Sequence, residues 1–304
     1  SGCEYCLDVY NGAVKHSGLD DEAMIELYNV IDLAENDHID ISDKNGQYVP
    51  QDESNLIYQC AKRVYDECGK PLSGLTIVED CAIPQTRGLG SSSACTVAGI
   101  MGANMLLGEP LDRNAVIDLA ATIEGHPDNS TPAILGGFCV ALLEDGHVHH
   151  VRVPVHGAID FVVFIPDFQL STEKARQALP GQLAFKDAVH NVSRVSLLPA
   201  AMNPAMLATG QRQDVNALLF AATQDRLHQP YRAPLMEPSW ALIEKLRSHG
   251  FASMVSGAGP CVLVLHHGDA REQLRQLASE ELASGHWRVL HLGVDTKGVQ
   301  VERA

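Results

Sequence analysis

The chain of 304 residues carries 22 basic and 38 acidic side chains, which gives a net charge of −16 with histidine neutral. With 45% hydrophobic and 20% charged residues it cannot be a disordered chain, and at roughly 100–200 residues per domain it forms two domains or one large one. So acidic a protein gains nothing from counterion release on nucleic acid and is repelled by anionic lipid, so we expect neither a nucleic-acid nor a membrane partner.

Strand and helix patterns follow one another irregularly in both halves of the chain, which favours an α+β fold over a doubly wound sheet. Strand patterns occur at Asn29–Leu33, Ile39–Ser42, Leu75–Asp80, Phe138–Leu143, His147–Pro154, Val162–Ile165, Cys261–His266 and Arg288–Leu292. Helical patterns occur at Asn55–Cys68, Ser92–Leu107, Asn114–Glu124, Glu173–Ala178, Val189–Met202, Val215–Ala222, Ser239–His249 and Ala270–Ala283. The least structured junction, Val153–Ile159, predicts domains of residues 1–155 and 156–304.

The cysteines and the amino-terminal composition predict a cytoplasmic protein. Eight cysteines are spaced irregularly in a chain too long to need disulfides, so we expect reduced thiols. The pair Cys3-Glu-Tyr-Cys6 has the spacing of a metal or redox motif, but no second pair completes a zinc site, which favours incidental thiols. Residues 1–30 carry acidic side chains throughout and lack an apolar core segment, so we expect no signal peptide.

The most informative segment is the glycine- and serine-rich loop Pro84–Ala94, which leads into a helix of small residues. Small side chains leave backbone N–H groups accessible at the positive end of that helix, an arrangement that binds phosphate. The loop is not a Walker A motif, because no Gly-Lys-Ser/Thr follows. It is not a Rossmann fingerprint either, because serines replace the third glycine. A plain surface turn is the structural alternative.

Two glycine motifs resemble those of one enzyme family. Gly88-Leu89-Gly90-Ser91-Ser92 resembles the central ATP-binding motif of the GHMP small-molecule kinases, and Ser256–Val262 resembles their third motif, a glycine turn between a helix and a strand. Further stretches resemble homoserine kinases within that family: Glu124–Asn129, Pro132–Gly137, Thr172–Arg176, Leu179-Pro180, Phe185–Val189 and Pro230–Arg232. The resemblance extends from about Leu27 to Val301.

This resemblance implies an α+β, two-domain GHMP kinase fold, with a ribosomal protein S5 domain 2-like amino-terminal domain that binds ATP and a ferredoxin-like carboxy-terminal domain. The implied activity is ATP-dependent phosphorylation of the L-homoserine hydroxyl to O-phospho-L-homoserine, in threonine biosynthesis, with Mg²⁺. Because homoserine kinases are often dimers, it also implies a homodimer. Two alternatives stay open: a GHMP kinase for another small alcohol or amino acid, and a non-catalytic nucleotide or metabolite sensor.

The resemblance also assigns residues to the nucleotide and the metal. Asn55 matches a position near the adenine, and Ser92 and Glu124 match the Mg²⁺ ligands, both hard oxygen donors. Chemistry alone does not choose among the three loop serines, and motif position favours Ser92. From Ser73 to Val151 the basic residues are Arg87 and Arg113, so we expect backbone N–H groups and Mg²⁺ to hold the phosphates. The implied ATP-binding residues of the loop are Arg87, Gly88, Leu89, Gly90, Ser91, Ser92 and Ser93.

A further set of residues matches the substrate-binding positions of the family. Arg176 and Arg232 match the arginines that bind the substrate carboxylate, for which a guanidinium fork is suited. His126 and Asp128 match residues beside the substrate. We expect Asp128 to hold the hydroxyl or the ammonium group rather than to act as a general base, because direct attack by an oriented hydroxyl is the usual inference for homoserine kinases.

The amino-terminal region departs from the family pattern. Homoserine kinases usually carry Pro-Ala-Thr-x-Ala-Asn-Leu-Gly-x-Gly-Phe-Asp near the start. Here Val14 and Lys15 stand where the asparagine and leucine are expected, and Gly18-Leu19-Asp20 is either a remnant of Gly-Phe-Asp or a chance match. One substrate contact therefore stays unassigned.

Overall fold

A computed structural model describes residues 5–10, 28–46, 48–203, 205 and 214–303. These residues form two compact units. The first comprises the described residues of segments 1–84, 90–153 and 294–304, and the second comprises 85–89 and those of 154–293. Cys3, Val14, Lys15 and the segment 18–20 lie outside the described residues. No helix among the described residues is long and apolar enough to cross a membrane.

The described residues contain strands and helices in both units. In chain order the strands are β1 (Tyr5–Tyr10), β2 (Tyr28–Asn36), β3 (Asp40–Asp43), β4 (Gly74–Cys81), β5 (Phe138–Glu144), β6 (His147–Val153), β7 (Ile159–Pro166), β8 (Ala252–Val255), β9 (Val262–His267), β10 (Trp287–Leu292) and β11 (Gln300–Arg303). The helices are α1 (Leu56–Glu67), α2 (Ser91–Leu106), α3 (Arg113–Glu124), α4 (Ser130–Leu135), α5 (Thr172–Gln177), α6 (Phe185–Val195), α7 (Leu198–Met202), α8 (Val215–Ala222), α9 (Gln229–Arg232), α10 (Glu237–Ser248), α11 (Arg271–Leu277) and α12 (Ser279–Ala283).

The first unit is built on a mixed five-stranded sheet in the order β11-β1-β2-β4-β3, in which β3 and β4 are parallel and the other neighbours are antiparallel. Alternate residues of β4 are buried, as expected for a strand with one face on a core. Helix α2 is buried along most of its length and lies against α1. A Cβ at Gly99 would lie 2.4 Å from the Ile57 carbonyl oxygen, so only glycine permits this close approach of the two helices.

The second unit is built on an antiparallel sheet in the order β10-β7-β9-β8. Helices connect β7 to β8 and β9 to β10, whereas β8 and β9 are consecutive strands. This β-α-β-β-α-β succession is that of a ferredoxin-like domain, so the α+β class and the carboxy-terminal architecture are confirmed. Side chains such as Phe164, Leu242 and Val264 form its core.

Some predicted elements were wrong. The helix predicted over Val189–Met202 is two helices, α6 and α7, because Pro199 cannot donate a hydrogen bond within a continuous helix. The helix predicted over Ala270–Ala283 is likewise divided into α11 and α12. Strand β8 was not predicted, so the glycine turn at residues 256–261 joins two strands rather than a helix and a strand.

Candidate functional site

The glycine-serine loop ends at the amino terminus of α2. Gly90 is in the left-handed region, with φ of 77°, and helix α2 begins at the next residue. No side chain among the described residues caps this helix end, so its first N–H groups are suited to an anion. Ser92 is exposed in the first turn, whereas Ser91 and Ser93 are buried. The loop geometry therefore fits the predicted phosphate cradle.

Glu124 is the last residue of α3, and its carboxylate lies at the first turns of α2. Burial raises the pKa of Glu124, and hydrogen bonds from Ser93 and Thr96 partly offset that effect. The Glu124 Oε2 atom is buried and has no hydrogen-bond partner among the described residues. A buried carboxylate oxygen that lacks a partner is costly, and a hard divalent cation would satisfy it. This donor therefore fits Mg²⁺.

The surroundings of Glu124 also show how the three loop serines differ. It is Ser93, not Ser92, whose hydroxyl contacts Glu124. Thr96, one turn further along α2, also contacts this carboxylate, and sequence reasoning missed it. The spacing from Ser93 to Thr96 is that of neighbours on one helix face, and this was the available signal.

The predicted substrate residues of the first unit lie directly after α3. The His126 Nδ1 atom is 2.6 Å from Asp128 Oδ1, and the Asp128 side chain is largely exposed. The next two hydroxyls, of Ser130 and Thr131, are fully buried and have no hydrogen-bond partner among the described residues. Sequence reasoning missed both, because serine and threonine at the start of a helix indicate ordinary capping.

Asn55, which the resemblance places near the adenine, lies buried at the amino terminus of α1. It is the N-cap of α1, where its Oδ1 atom accepts hydrogen bonds from the Ile57 and Tyr58 N–H groups. Its Nδ2 atom donates to the Pro50 carbonyl at 3.1 Å and to Glu79 Oε1 at 2.8 Å. The side chain is 2% exposed. All of the hydrogen-bonding groups of this side chain are therefore used within the protein.

The two glycine motifs meet in the second unit. The Ser256 hydroxyl donates to the Gly88 carbonyl at 2.7 Å, and the Cys261 N–H donates to the Arg87 carbonyl at 3.2 Å. A Cβ at Gly88, where φ is +75°, would lie 2.1 Å from the Ser256 carbonyl oxygen. Leu89 follows, half-buried. Glycine is thus required at position 88 by both the backbone conformation and the packing.

The Arg87 guanidinium is bound by main-chain carbonyls. It donates to the Pro166 and Asp167 carbonyl oxygens at 3.0 and 2.6 Å, and to Gln85 at 3.3 Å. Burial lowers the pKa of Arg87, but the group stays charged because an arginine starts from so high a value. These contacts give Arg87 a structural role in the second unit.

The predicted carboxylate-binding arginines lie together in the second unit. Arg232 donates to the Ala175 carbonyl at 3.1 Å and to the Gly257 carbonyl at 3.1 Å, which anchors it beside α5, the helix that carries Arg176. Burial lowers the pKa of Arg232, the nearby negative charge of Asp225 raises it, and the charge of Arg176 lowers it again by a smaller amount. Arg176 itself is exposed. Two adjacent guanidinium groups that repel each other would be stabilised by an anion.

Comparisons with known proteins agree with these motifs. Residues 55–137 match the family profile described as GHMP kinases N terminal domain, and residues 202–283 match GHMP kinases C terminal. A homoserine kinase of Caldicellulosiruptor bescii is 42% identical over 284 residues, which cover 91% of this chain and 89% of that protein. One of Cutibacterium acnes is 43% identical over 262 residues, 84% of each chain.

A solved structure shows the same fold. The crystal structure of homoserine kinase from Cytophaga hutchinsonii superposes with a TM-score of 0.78 at 22% identity and covers 99% of this chain and 97% of that one. At this identity the likeness bears on the fold alone.

Proposed function

Because the chain belongs to the GHMP kinase family, we propose that it phosphorylates the hydroxyl group of L-homoserine with ATP, which gives O-phospho-L-homoserine and ADP. The observation that carries this function is the identity of 42–43% with homoserine kinases over most of the chain. The protein is thus a phosphotransferase with an alcohol acceptor and a small-molecule substrate.

The first unit supplies the groups for the nucleotide phosphates and the metal. We assign the phosphates to the backbone N–H groups of the loop residues that belong to this unit, Gly90 to Ser93, at the amino terminus of α2. Glu124 would hold Mg²⁺ through its unpartnered oxygen, together with a hydroxyl of the first turn of α2, from Ser92 or Ser93. When bound, the metal neutralises charge on the β- and γ-phosphates. Ser91 takes part through its backbone N–H group, as the first residue of α2.

The remaining groups bind and orient the amino acid. Arg176 and Arg232 pair with its carboxylate, and His126 and Asp128 hold its hydroxyl or ammonium group. The His126 Nδ1 atom lies 2.6 Å from Asp128 Oδ1 without forming a hydrogen bond to it, and we assign the exposed Asp128 carboxylate to accept a hydrogen bond from the substrate. Orientation of this kind supplies much of the catalysis of phosphoryl transfer.

In the reaction the substrate hydroxyl oxygen forms a bond to the γ-phosphorus as the bond to the β,γ-bridging oxygen breaks. ADP leaves with that electron pair, and the hydroxyl proton passes to solvent or to the transferred phosphoryl group. No dedicated base is required in this scheme, so Asp128 acts by positioning.

An ADP-release assay over a panel of acceptors tests the function. Purified protein is supplied with Mg-ATP and, separately, with L-homoserine, L-threonine, L-serine, mevalonate and galactose, and the product is identified by mass spectrometry. We expect turnover with L-homoserine to exceed that with every other acceptor. Turnover confined to another acceptor, or none at all, contradicts the proposal. The Glu124→Gln variant is the control for contaminating kinases, because it should lose Mg-dependent turnover.

A further inference from the structure

The first unit contains a buried carboxylate and two thiols that the proposed reaction does not use. Glu79 and Cys81 are the last inward-facing residues of β4, and each is 3% exposed. Cys95 lies one turn into α2 and is partly exposed, which leaves a route for a small ion. One donor atom from each residue lies within 4.8 Å of the other two.

The spacing of these atoms is close to that of a tetrahedral zinc site. Zn–S bonds of about 2.3 Å and Zn–O bonds of about 2.0–2.2 Å place a sulfur and an oxygen ligand about 3.5–3.7 Å apart, and two sulfur ligands about 3.8 Å apart. The Cys81 Sγ atom lies 3.8 Å from Glu79 Oε2. Side-chain adjustments of about 1 Å or less would complete the geometry.

Neighbouring amides orient two of the three donors. The Asn55 Nδ2 atom donates to Glu79 Oε1 at 2.8 Å, which leaves Oε2 directed at Cys81. The Asn29 Nδ2 atom approaches the Cys95 sulfur at 4.0 Å from a fully buried position. Metal ligands are commonly held by such outer hydrogen bonds, and these partners affect affinity strongly.

The charges around the cluster favour a cation. Burial raises the pKa of Glu79, while a hydrogen bond with Cys95, followed by burial, raises that of Cys81. Asp43, the register partner of Glu79 on β3, raises both pKa values further. Among the described residues, no basic side chain contributes to either shift. A divalent cation would replace the protons of these groups and neutralise the charge that they then carry.

We propose that Glu79, Cys81 and Cys95 form a binding site for Zn²⁺, with the fourth position open to water. The two sulfur donors select zinc over Mg²⁺ or Ca²⁺, which bind oxygen ligands. The site is distinct from Glu124, which has oxygen neighbours, and it is independent of the proposed kinase function. It would connect the end of β4 to the first turns of α2, on either side of the phosphate-binding loop in the sequence.

Titration of the reduced, metal-free protein with Co²⁺ tests the site, because thiolate ligation gives a charge-transfer absorption in the near ultraviolet and tetrahedral cobalt absorbs strongly in the visible. We expect both absorptions to saturate at one Co²⁺ per chain and to disappear when Zn²⁺ is added. Their absence would overturn the proposal.

Variants identify the ligands. Cys81→Ala and Cys95→Ala should each lower the cobalt affinity at least about tenfold, since loss of a ligand exceeds the effect of losing an outer partner. Cys95 lies in a helix, where alanine is well tolerated, so this variant keeps the test valid if the Cys81 variant fails to fold. Cys139→Ala is the matched control and should leave the spectrum unchanged. Absorptions that persist in both variants and vanish in Cys6→Ala would assign the metal to the amino-terminal cysteine pair and refute this site.

Discussion

Replacement of Asn55 by alanine distinguishes a structural role of this side chain from a role in nucleotide binding. Its Oδ1 atom caps α1 through two backbone N–H groups, and its Nδ2 atom donates to the buried carboxylate of Glu79. All of these contacts are made with other residues of the chain. We therefore expect Asn55→Ala to destabilise the first unit and to leave the KM for ATP within about twofold of its original value.

The magnitude follows from the contacts that are lost. Loss of an asparagine N-cap costs about 1 kcal/mol, within a range of about 0.5–2 kcal/mol. The substitution also leaves the Glu79 carboxylate, which is 3% exposed, without the amide that donates to it. A buried acceptor without its partner lowers the stability by a further amount of about 1–3 kcal/mol. The sum of about 2–4 kcal/mol corresponds to a fall in Tm of at least about 4 °C for a unit of this size.

Differential scanning calorimetry of the nucleotide-free protein measures this change, and steady-state kinetics measures the KM for ATP. Asn55→Ser is the matched control, because serine retains the cap but not the amide donor, and its Tm should fall by less than that of Asn55→Ala. An Asn55→Ala protein with unchanged Tm and a KM for ATP raised tenfold or more would refute the reasoning and support the adenine contact that the resemblance implies.

Three further predictions concern the loop, the metal and the substrate. Gly88→Ala should lower stability by about 3 kcal/mol or more, seen in calorimetry, because a left-handed backbone alone costs about 1–2 kcal/mol and the new Cβ would lie 2.1 Å from a carbonyl oxygen. Burial raises the pKa of Glu124, so the wild type loses stability relative to Glu124→Gln as the pH rises through that pKa. The nucleotide-free variant should thus have the higher Tm at neutral pH while lacking activity, and a lower Tm would contradict the burial argument. Arg176→Ala should raise the KM for L-homoserine about 10–100-fold but leave that for ATP nearly unchanged, and equal increases would exclude a carboxylate role.

Much of the fold was predictable because its main strands and helices carry clear periodic patterns. Strands β2, β4, β7 and β9 were predicted, as was the long helix α2. Strand β8 was missed because its four residues include Met254 and the buried Ser253, which give no apolar alternation. Strand β11 was missed because apolar and polar residues alternate only weakly along it. It forms by pairing with β1, which is far away in the sequence.

The candidate site was predictable where one continuous segment contains both the sequence motif and the backbone groups that would bind the ligand. The loop and the following helix terminus are of this kind. The contacts of Arg87 depend on carbonyl groups at the end of β7, 79 and 80 residues further along the chain, so no local pattern could indicate them. Asn55 is a different case: an asparagine directly before a helical pattern is also a capping signal, and the structure shows that cap, while the adenine contact that the resemblance implies stays a prediction.

The course of the chain between the two units limits how the protein can be divided. The polypeptide passes from one unit to the other after Pro84, Leu89, Val153 and Gly293, so each unit is discontinuous in sequence. A fragment cut after Val153 would lack the carboxy-terminal strand that pairs with β1, and the complementary fragment would lack the Gly88 segment that Ser256 binds. Expression of either unit alone therefore requires grafted segments or a circularly permuted gene rather than a single truncation. Loss of β11 would remove one neighbour of β1 and so impair the sheet of the first unit.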